Sequence, residues 1–377
     1  MEQLHPNEPT AMVLRIMGPS SRRRRVGATA ASFAGARRPS PPGAQLVMRV
    51  AITGVTGFVG TALARRLVKQ GHEVTGLCRA RSSPATVAWL RRLGVTLVQG
   101  EIERPASLPA LMAGAELVLH CAAVIGYRRR LAGLMQRVNV LGTRHVVEAA
   151  LAARVGRLVH VSSIAALGIA PMPQVRDERS PFMGGELDAP YFETKALAED
   201  EVQRACAAGL DAVIVNPSAI YGPSEAASNS SNVIASILRS GVRFVPSGGI
   251  NVVPLETVVQ GVLAAARRGR SGRRYLLVGE NLTLAQLMQR VGKAAGVALE
   301  PRELPDLPWG LVRALLELIE PCVPDRVWFT PDMLAAFGRS LWFDGARARD
   351  ELGLVATDLD ACLAATVAQL RRDGRVS

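Results

Sequence analysis

Arg49-Val50-Ala51-Ile52-Thr53-Gly54-Val55-Thr56-Gly57-Phe58-Val59-Gly60 is the stretch on which the fold turns. A short apolar strand pattern runs into three glycines, and Thr61 to Lys69 then repeats apolar residues at helical spacing. A strand that ends in glycines and opens a helix is the context a dinucleotide fingerprint requires. Gly54 would allow the tight turn, Gly57 would let the backbone approach a pyrophosphate, and Gly60 would let helix pack on strand. The helix N-terminus would face the phosphates. The first gap is one residue longer than in the common dehydrogenase form, and a plain strand-helix turn is the alternative. The residues expected at the cofactor here are Gly54, Thr56, Gly57, Phe58, Val59 and Gly60.

Outward from this turn, strand patterns recur at His72 to Cys78, Val95 to Gln99, Glu116 to His120, Arg157 to Ser162 and Ala212 to Asn216. Helical periodicity lies between most of them, notably Leu134 to Ala153 and Thr194 to Ala208. Such alternation means parallel βαβ units. After about residue 217 loops lengthen and strands become isolated, at Asn251 to Pro254 and Arg274 to Val278. Thr283 and Gln286 read as a helix capping box.

The second strand ends Leu77-Cys78-Arg79-Ala80-Arg81, with no acid for ribose hydroxyls. Arginine suits a 2′-phosphate, so Arg79 points to NADP, with NAD as the alternative. Glu101 and Ile102 follow the third strand, where an adenine edge would lie. Ala122 and Ala123 end the fourth and are small enough for a cofactor to pass. His120 reads as structural, and no second histidine stands at ligand spacing, so no metal is expected. Ser162 and Ser163 end the fifth strand on the edge where open α/β sheets bind ligands. A hydroxyl there can hydrogen-bond a carbonyl, whereas a serine nucleophile would lack its G-x-S-x-G elbow.

Tyr191 and Lys195 stand four apart in a chain with four tyrosines and only three lysines. On a helix they share one face. An ammonium beside a phenol favours phenolate and lowers its pKa from about 10, so the phenol can exchange a proton with a secondary alcohol near neutrality.

Bulk composition removes other classes. The chain has 377 residues, 49% apolar and 20% charged, as a globular protein should. No run approaches the roughly 18 apolar residues of a membrane span; Leu311 to Ile319 is short and contains Arg313 and Glu317. The net charge of +13 is carried almost wholly by arginine, and with aromatics at 4% there is no basic stripe with interleaved rings, so nucleic acid is not the expected partner. Five widely spaced cysteines without a CxxC fit a reducing cytoplasm. Residues 1–47 carry Arg22 to Arg25 and a Pro-rich end. They read as disordered, an extension upstream of a start at Met48, with a transit-like or twin-arginine leader as the alternative.

The ordered set Thr53 to Gly60, His120 to Ala123, Asn139-Val140-Leu141-Gly142-Thr143, Val161-Ser162-Ser163, Tyr191 to Lys195 with Glu199, and Asn216-Pro217-Ser218-Ala219-Ile220-Tyr221-Gly222-Pro223 resembles the extended short-chain dehydrogenase/reductases. Within them it is most similar to the NAD(P)-dependent epimerase/dehydratase branch, near dihydroflavonol-4-reductase-like enzymes and the hopanoid-associated sugar epimerase group. The resemblance runs from Met48 to the C-terminus. It implies a Rossmann-type doubly wound parallel sheet with a smaller C-terminal substrate lobe. The core would be 48–216 plus strands near 251–254 and 273–279, and 217–377 would be mainly the lobe, interleaved with it. It implies Tyr191 as acid/base, Lys195 as its pKa modulator and ribose ligand, Ser163 as the carbonyl-polarising hydroxyl, Asn139 as a structural helix residue, and backbone after Pro217 as the nicotinamide amide ligand. It also implies a small-molecule substrate and a homodimer.

Hydride transfer between NADP(H) and a ketone or secondary alcohol is the expected reaction. A nucleotide-sugar epimerase or dehydratase with tightly held NAD and a non-catalytic dinucleotide sensor are the alternatives. Two departures from the family pattern stand out. Thr194 replaces the usual serine, and Val253-Pro254-Leu255-Glu256-Thr257 replaces the usual Val-His-Val-Asp-Asp, which puts lobe contacts in question. Arg128 to Arg130 read as a solvated charge run, with an anionic substrate contact as the alternative, and the apolar residues around Trp309 and Leu311 as core or a greasy pocket.

Overall fold

Strand parity decides which helices each strand meets. In β1 (Arg49–Thr53), Val50 and Ile52 face one side of the sheet and Ala51 and Thr53 the other. The computed structural model describes residues 47–126, 129–171, 174–183, 190–226, 228–241, 243–304 and 339–377. The sequence readings at residues 1–46, Arg128, Trp309 and Leu311 to Ile319 lie outside these. After β1 come α1 (Phe58–Lys69), β2 (Glu73–Cys78), α2 (Pro84–Leu93), β3 (Thr96–Gln99), α3 (Leu108–Met112) and β4 (Leu117–His120). A helical run follows as α4 (Ala132–Met135), a π turn (Gln136–Leu141) and α5 (Gly142–Ala152). Then come β5 (Arg157–Val161), β6 (Ala170–Pro171), β7 (Val175–Arg176), α6 (Pro190–Ala207), β8 (Ala212–Pro217) and β9 (Ala219–Tyr221).

The remainder is α7 (Asn229–Ser240), β10 (Phe244–Val245), β11 (Gly249–Pro254), α8 (Leu255–Arg268), β12 (Arg274–Leu277), β13 (Glu280–Thr283), α9 (Leu284–Ala295), β14 (Arg302–Glu303), β15 (Arg339–Phe343), α10 (Ala346–Leu352) and α11 (Leu359–Arg372).

Seven strands make one parallel sheet in the order β12-β8-β5-β4-β1-β2-β3. The order reverses between β1 and β4, the switch point where such sheets bind ligands. One face packs α1, α8 and α10 through Leu63, Leu67, Val262 and Ala348 against Val50, Ile52, Leu119 and Val215. The other packs α3, α5 and α6 through Leu111, Val146, Ala150 and Val202 against Ala51, Val118, Leu158 and Ile214. Each of these valine, leucine and isoleucine side chains contributes about 1.5–3 kcal/mol by leaving water.

The strand at Asn251 to Pro254 is a correction to the expected core. β11 does not join the parallel sheet; it lies in a second sheet with β9, β13 and β15. A short apolar run reads alike in any sheet, and only its partners, distant in sequence, decide which one it enters. The strand at Arg274, in contrast, does close the parallel sheet beside β8. The second sheet packs under α7, α9 and α11 through Val252, Ile234, Leu287 and Leu363. Thr283 and Gln286 form the capping box of α9. Where the family's histidine and aspartates are missing, Glu256 takes a two-pronged bond from Arg66 at 2.6 and 2.8 Å, and Thr257 bonds Thr357 at 2.8 Å. No helix among the described residues is long and apolar enough to cross a membrane.

Candidate active site

The glycine turn is forced by contacts at both ends. Gly54 has φ +67°, and a Cβ there would stand 2.7 Å from Ala122 N. A Cβ on Gly60 would overlap the carbonyl oxygen of Gly54 and meet Val55 Cα at 2.9 Å. Gly57 is the exposed N-cap of α1, and no side chain caps that first turn. Thr56, Phe58 and Val59 are partly exposed around it. A close backbone turn ahead of an uncapped helix N-terminus fits a dinucleotide pyrophosphate.

The other expected cofactor residues follow neighbouring strands on the same edge. Arg79 leaves β2 in a turn closed by Ser82, with its side chain exposed. Glu101 and Ile102 follow β3; Ile102 is buried, its carbonyl held by His145 at 3.0 Å. Ala122 and Ala123 follow β4, and Pro217 ends β8. Beside Pro217, Asn216 Oδ1 and Ser218 Oγ are buried without a partner. Arg129 and Arg130 are exposed on a short helical turn.

Behind this edge lies a polar layer that sequence reasoning saw only in part. Thr143 Oγ1 donates to Asn139 O at 2.6 Å, so it must accept from His120 Nε2 at 3.0 Å. His120 Nδ1 then accepts from Thr53 Oγ1 at 2.7 Å, and the ring is neutral. Asn139, in the π turn, donates to Val124 O and accepts from Val124 N at 3.0 and 2.8 Å. It also donates to Thr194 Oγ1 at 3.3 Å. Thr194 supplies the hydroxyl that the family's serine would, which makes that departure conservative. π turns inside helices often mark functional positions.

Tyr191 and Lys195 lie in the first turns of α6, both buried, four residues apart on one helix face. The Tyr191 ring packs with Met135, Ala165, Ile169 and Phe192, the last edge-on at 6.0 Å. Lys195 Nζ donates to Val161 O at 3.4 Å, at the end of β5. Burial lowers its pKa to about 8, and Glu199 opposes the fall. Ser163 begins the loop after β5; its Oγ accepts from Ala165 N at 3.1 Å, which leaves the hydroxyl hydrogen free to donate. Arg176, buried under the Phe343 ring, donates to the carbonyls of Leu167 and Gly168 and so closes this loop. Ser162 turns away and donates to Glu199. Glu199, Asn216 and Arg274 were not assigned chemistry from the sequence, although Glu199 and Asn216 stand in the motifs that carry the family resemblance.

His160, beside His120 with ring centroids 5.0 Å apart, is buried with neither nitrogen hydrogen-bonded. Burial and the nearby Lys195 charge lower the His120 pKa to about 3 and hold His160 well below the ordinary value. An unfolded chain protonates both near pH 6.5, while the folded chain does not. Stability from these groups is therefore full above about pH 6.5 and lost as pH falls, by up to ~1.4 kcal/mol per unit for each. His160→Leu gives up no hydrogen bond and is expected to flatten the loss of denaturation midpoint between about pH 6.5 and 5. An unchanged slope would show that His160 titrates normally.

A separate cleft of about 210 Å³, lined by Arg66, Arg267, Arg268 and Leu352, lies on the opposite sheet face from α6. Arg66 is paired with Glu256, and Arg268 caps α10 through Leu352 O.

Comparison with known proteins gives the family and the fold. Residues 50–273 match the family described as NAD dependent epimerase/dehydratase. The chain is 33% identical over 337 residues to sterol demethylase protein B of Methylococcus capsulatus, covering 87% of this chain and 100% of that protein. It is 32% identical over 321 residues to the 4-hydroxy-2-methyl-3-oxo-4-farnesyl-3,4-dihydroquinoline-1-oxide ketoreductase of Stigmatella aurantiaca, covering 81% and 91%. The crystal structure of gox2253 superposes with a TM-score of 0.75 at 29% identity, covering 88% of this chain and 99% of that one. A glycine turn at the switch point, a buried tyrosine and lysine one helical turn apart, and a match across most of the parallel sheet lead to one assignment: the chain belongs to the NAD dependent epimerase/dehydratase family and is an NAD(P)-dependent enzyme.

Proposed function

We propose that this enzyme reversibly reduces a ketone on a largely apolar small molecule, using NADPH. The observation that carries the reading is the pair Tyr191 and Lys195, buried on one face of α6 against the end of β5, where Ser163 also lies. The nicotinamide, when bound, supplies or takes up the hydride. The groups that would hold it are the first turn of α1, Lys195 at the ribose, and the backbone after Pro217. Ser163 donates its free hydroxyl hydrogen to the carbonyl oxygen and orients it. Tyr191 gives a proton to the developing alkoxide, and the Lys195 ammonium stabilises the phenolate that remains.

An apolar substrate is supported by the surroundings of the tyrosine. Met135, Ala165, Ile169 and Phe192 pack the ring, with Val124, Leu131 and Leu341 partly buried against them. Ile125, next to Val124, and Phe182, next to the Met183 that bonds Ile169, are exposed. Relatives named for a sterol and for a farnesylated quinoline agree. The test is NADPH consumption against sterol, flavonoid-type and long-chain ketones and nucleotide sugars. Turnover with the apolar ketones is expected. Purified protein carrying stoichiometric NAD, and converting a nucleotide sugar without net cofactor change, would replace this reading with an epimerase or dehydratase.

Arg79 supports NADP: its side chain is exposed at the end of β2, where no acid competes for the ribose. A charge-assisted bond to phosphate is worth about 1.5–3 kcal/mol. Arg79→Glu is therefore expected to weaken NADPH about 10- to 100-fold in a fluorescence titration and NADH little. Equal weakening would remove the phosphate assignment. Homodimerisation through α5 and α6 completes the reading, with Leu197 exposed on α6. Cys78, Cys121, Cys206 and Cys362 are free thiols, consistent with a reducing cytoplasm.

A further inference from the structure

We propose that Glu199 is a positioning residue for the Tyr191–Lys195 pair: its buried carboxylate ties α6 to the ends of β5 and β8 and to β12, and supplies the anion that keeps Lys195 an ammonium. The inference rests on the proposed roles of Tyr191 and Lys195. Glu199 is 1% exposed. Its Oε1 accepts from Ser162 Oγ at 2.5 Å and from Asn216 Nδ2 at 2.6 Å. Its Oε2 accepts from Arg274 Nε at 2.8 Å and from Arg274 Nη2. The same Asn216 Nδ2 donates to Ser163 O at 2.8 Å. One carboxylate therefore fixes the helix that carries the phenol and ammonium to both serines at the end of β5.

A buried ion pair is by itself weak evidence of stabilisation, because desolvation offsets the attraction. The setting of Lys195 gives this one a use. On α6, Glu199 faces Lys195, with Tyr191 four residues before the lysine on the same helix, and from the sheet edge His120, Cys121 and His160 lie within its field. Both histidines are neutral, and burial raises the Cys121 thiol to about 12. Near neutral pH, Glu199 is thus the anion facing Lys195 among the described residues, and Arg274 lies on the carboxylate's other oxygen. Burial pushes the ammonium toward deprotonation, and Glu199 opposes it. A neutral Lys195 could not favour phenolate at Tyr191.

The experiment needs no substrate or cofactor. Ultraviolet difference titration of the free protein, minus that of Tyr191→Phe, isolates one phenol among four. In the unaltered protein Tyr191 is expected to ionise below the usual pH of about 10. Glu199→Gln should move that ionisation up by about half a pH unit or more. The pair Glu199→Gln with Arg274→Met, which leaves no orphaned buried cation, should move it in the same direction. Ser162→Ala, which removes one tether and no charge, should leave it in place, with thermal midpoints recorded for every variant. A folded double variant with an unshifted phenol would overturn the role of Glu199 and leave the Tyr191–Lys195 reading intact. A phenol that titrates normally in the unaltered protein would overturn both.

Discussion

Tyr191→Phe is expected to lower NADPH-dependent ketone reduction by about 10²- to 10⁴-fold, the range for loss of a positioned general acid. The change removes one oxygen from a ring that is 8% exposed and packed among Met135, Ala165, Ile169 and Phe192. Phenylalanine keeps those contacts, so the thermal midpoint should move little and NADPH affinity should stay within about threefold. The fall should sit in kcat, because a proton delivered only as the alkoxide forms is an interaction of the transition state. Circular dichroism and NADPH titration of the same preparation separate lost chemistry from lost folding. A phenylalanine variant with unchanged turnover would refute the assigned acid, whatever the cofactor.

The parallel sheet was legible because each of its strands is a short apolar run bounded by a helix with its own period. The glycine turn was legible because the same three glycines serve one local bend. What could not be read is non-local. The Thr53–His120 bond spans 67 positions, Asn216–Glu199 spans 17 and Arg274–Glu199 spans 75. No periodicity in one segment announces a partner that far away. For the same reason β11 was expected in the wrong sheet. β6, β7 and β10 are two residues each and carry no alternation to detect.

Helix α6 shows a conflict between two demands. Its buried face includes Thr194, Lys195, Glu199 and Glu201 among Phe192, Ala198 and Val202. Polar residues turned inward blur the apolar stripe, and the sequence pattern opened the helix at Thr194, whereas it starts at Pro190. Tyr191 thus lies inside the helix, which is what gives the four-residue step its geometry. Local rules fail at this segment because α6 buries charged side chains under the sheet edge, and the surrounding hydrogen-bond network compensates for that burial.

Gly60→Ala is expected to destabilise the fold by about 3 kcal/mol and to remove measurable NADPH binding. The added methyl would overlap the Gly54 carbonyl oxygen and meet Val55 Cα at 2.9 Å. Both are backbone atoms, so no flexible side chain can give way. Relief must come from lifting α1 or opening the turn. Lifting α1 unpacks Leu63, Ala64 and Leu67, all nearly or fully buried against the sheet. Opening the turn displaces Gly54, whose +67° φ already abuts Ala122 N. Either route spoils the N–H groups of the helix start that would face a pyrophosphate. Gly133→Ala is the matched control, since a methyl on that exposed α4 position meets only Arg137 Nη1 at 3.7 Å. It should stabilise by about 0.5–1 kcal/mol through helix propensity. Denaturant midpoints of the two variants would then move in opposite directions, and NADPH titration would change for Gly60→Ala alone. A Gly60→Ala protein with unaltered midpoint and affinity would mean that neither the packing of α1 on the turn nor the turn itself holds the dinucleotide.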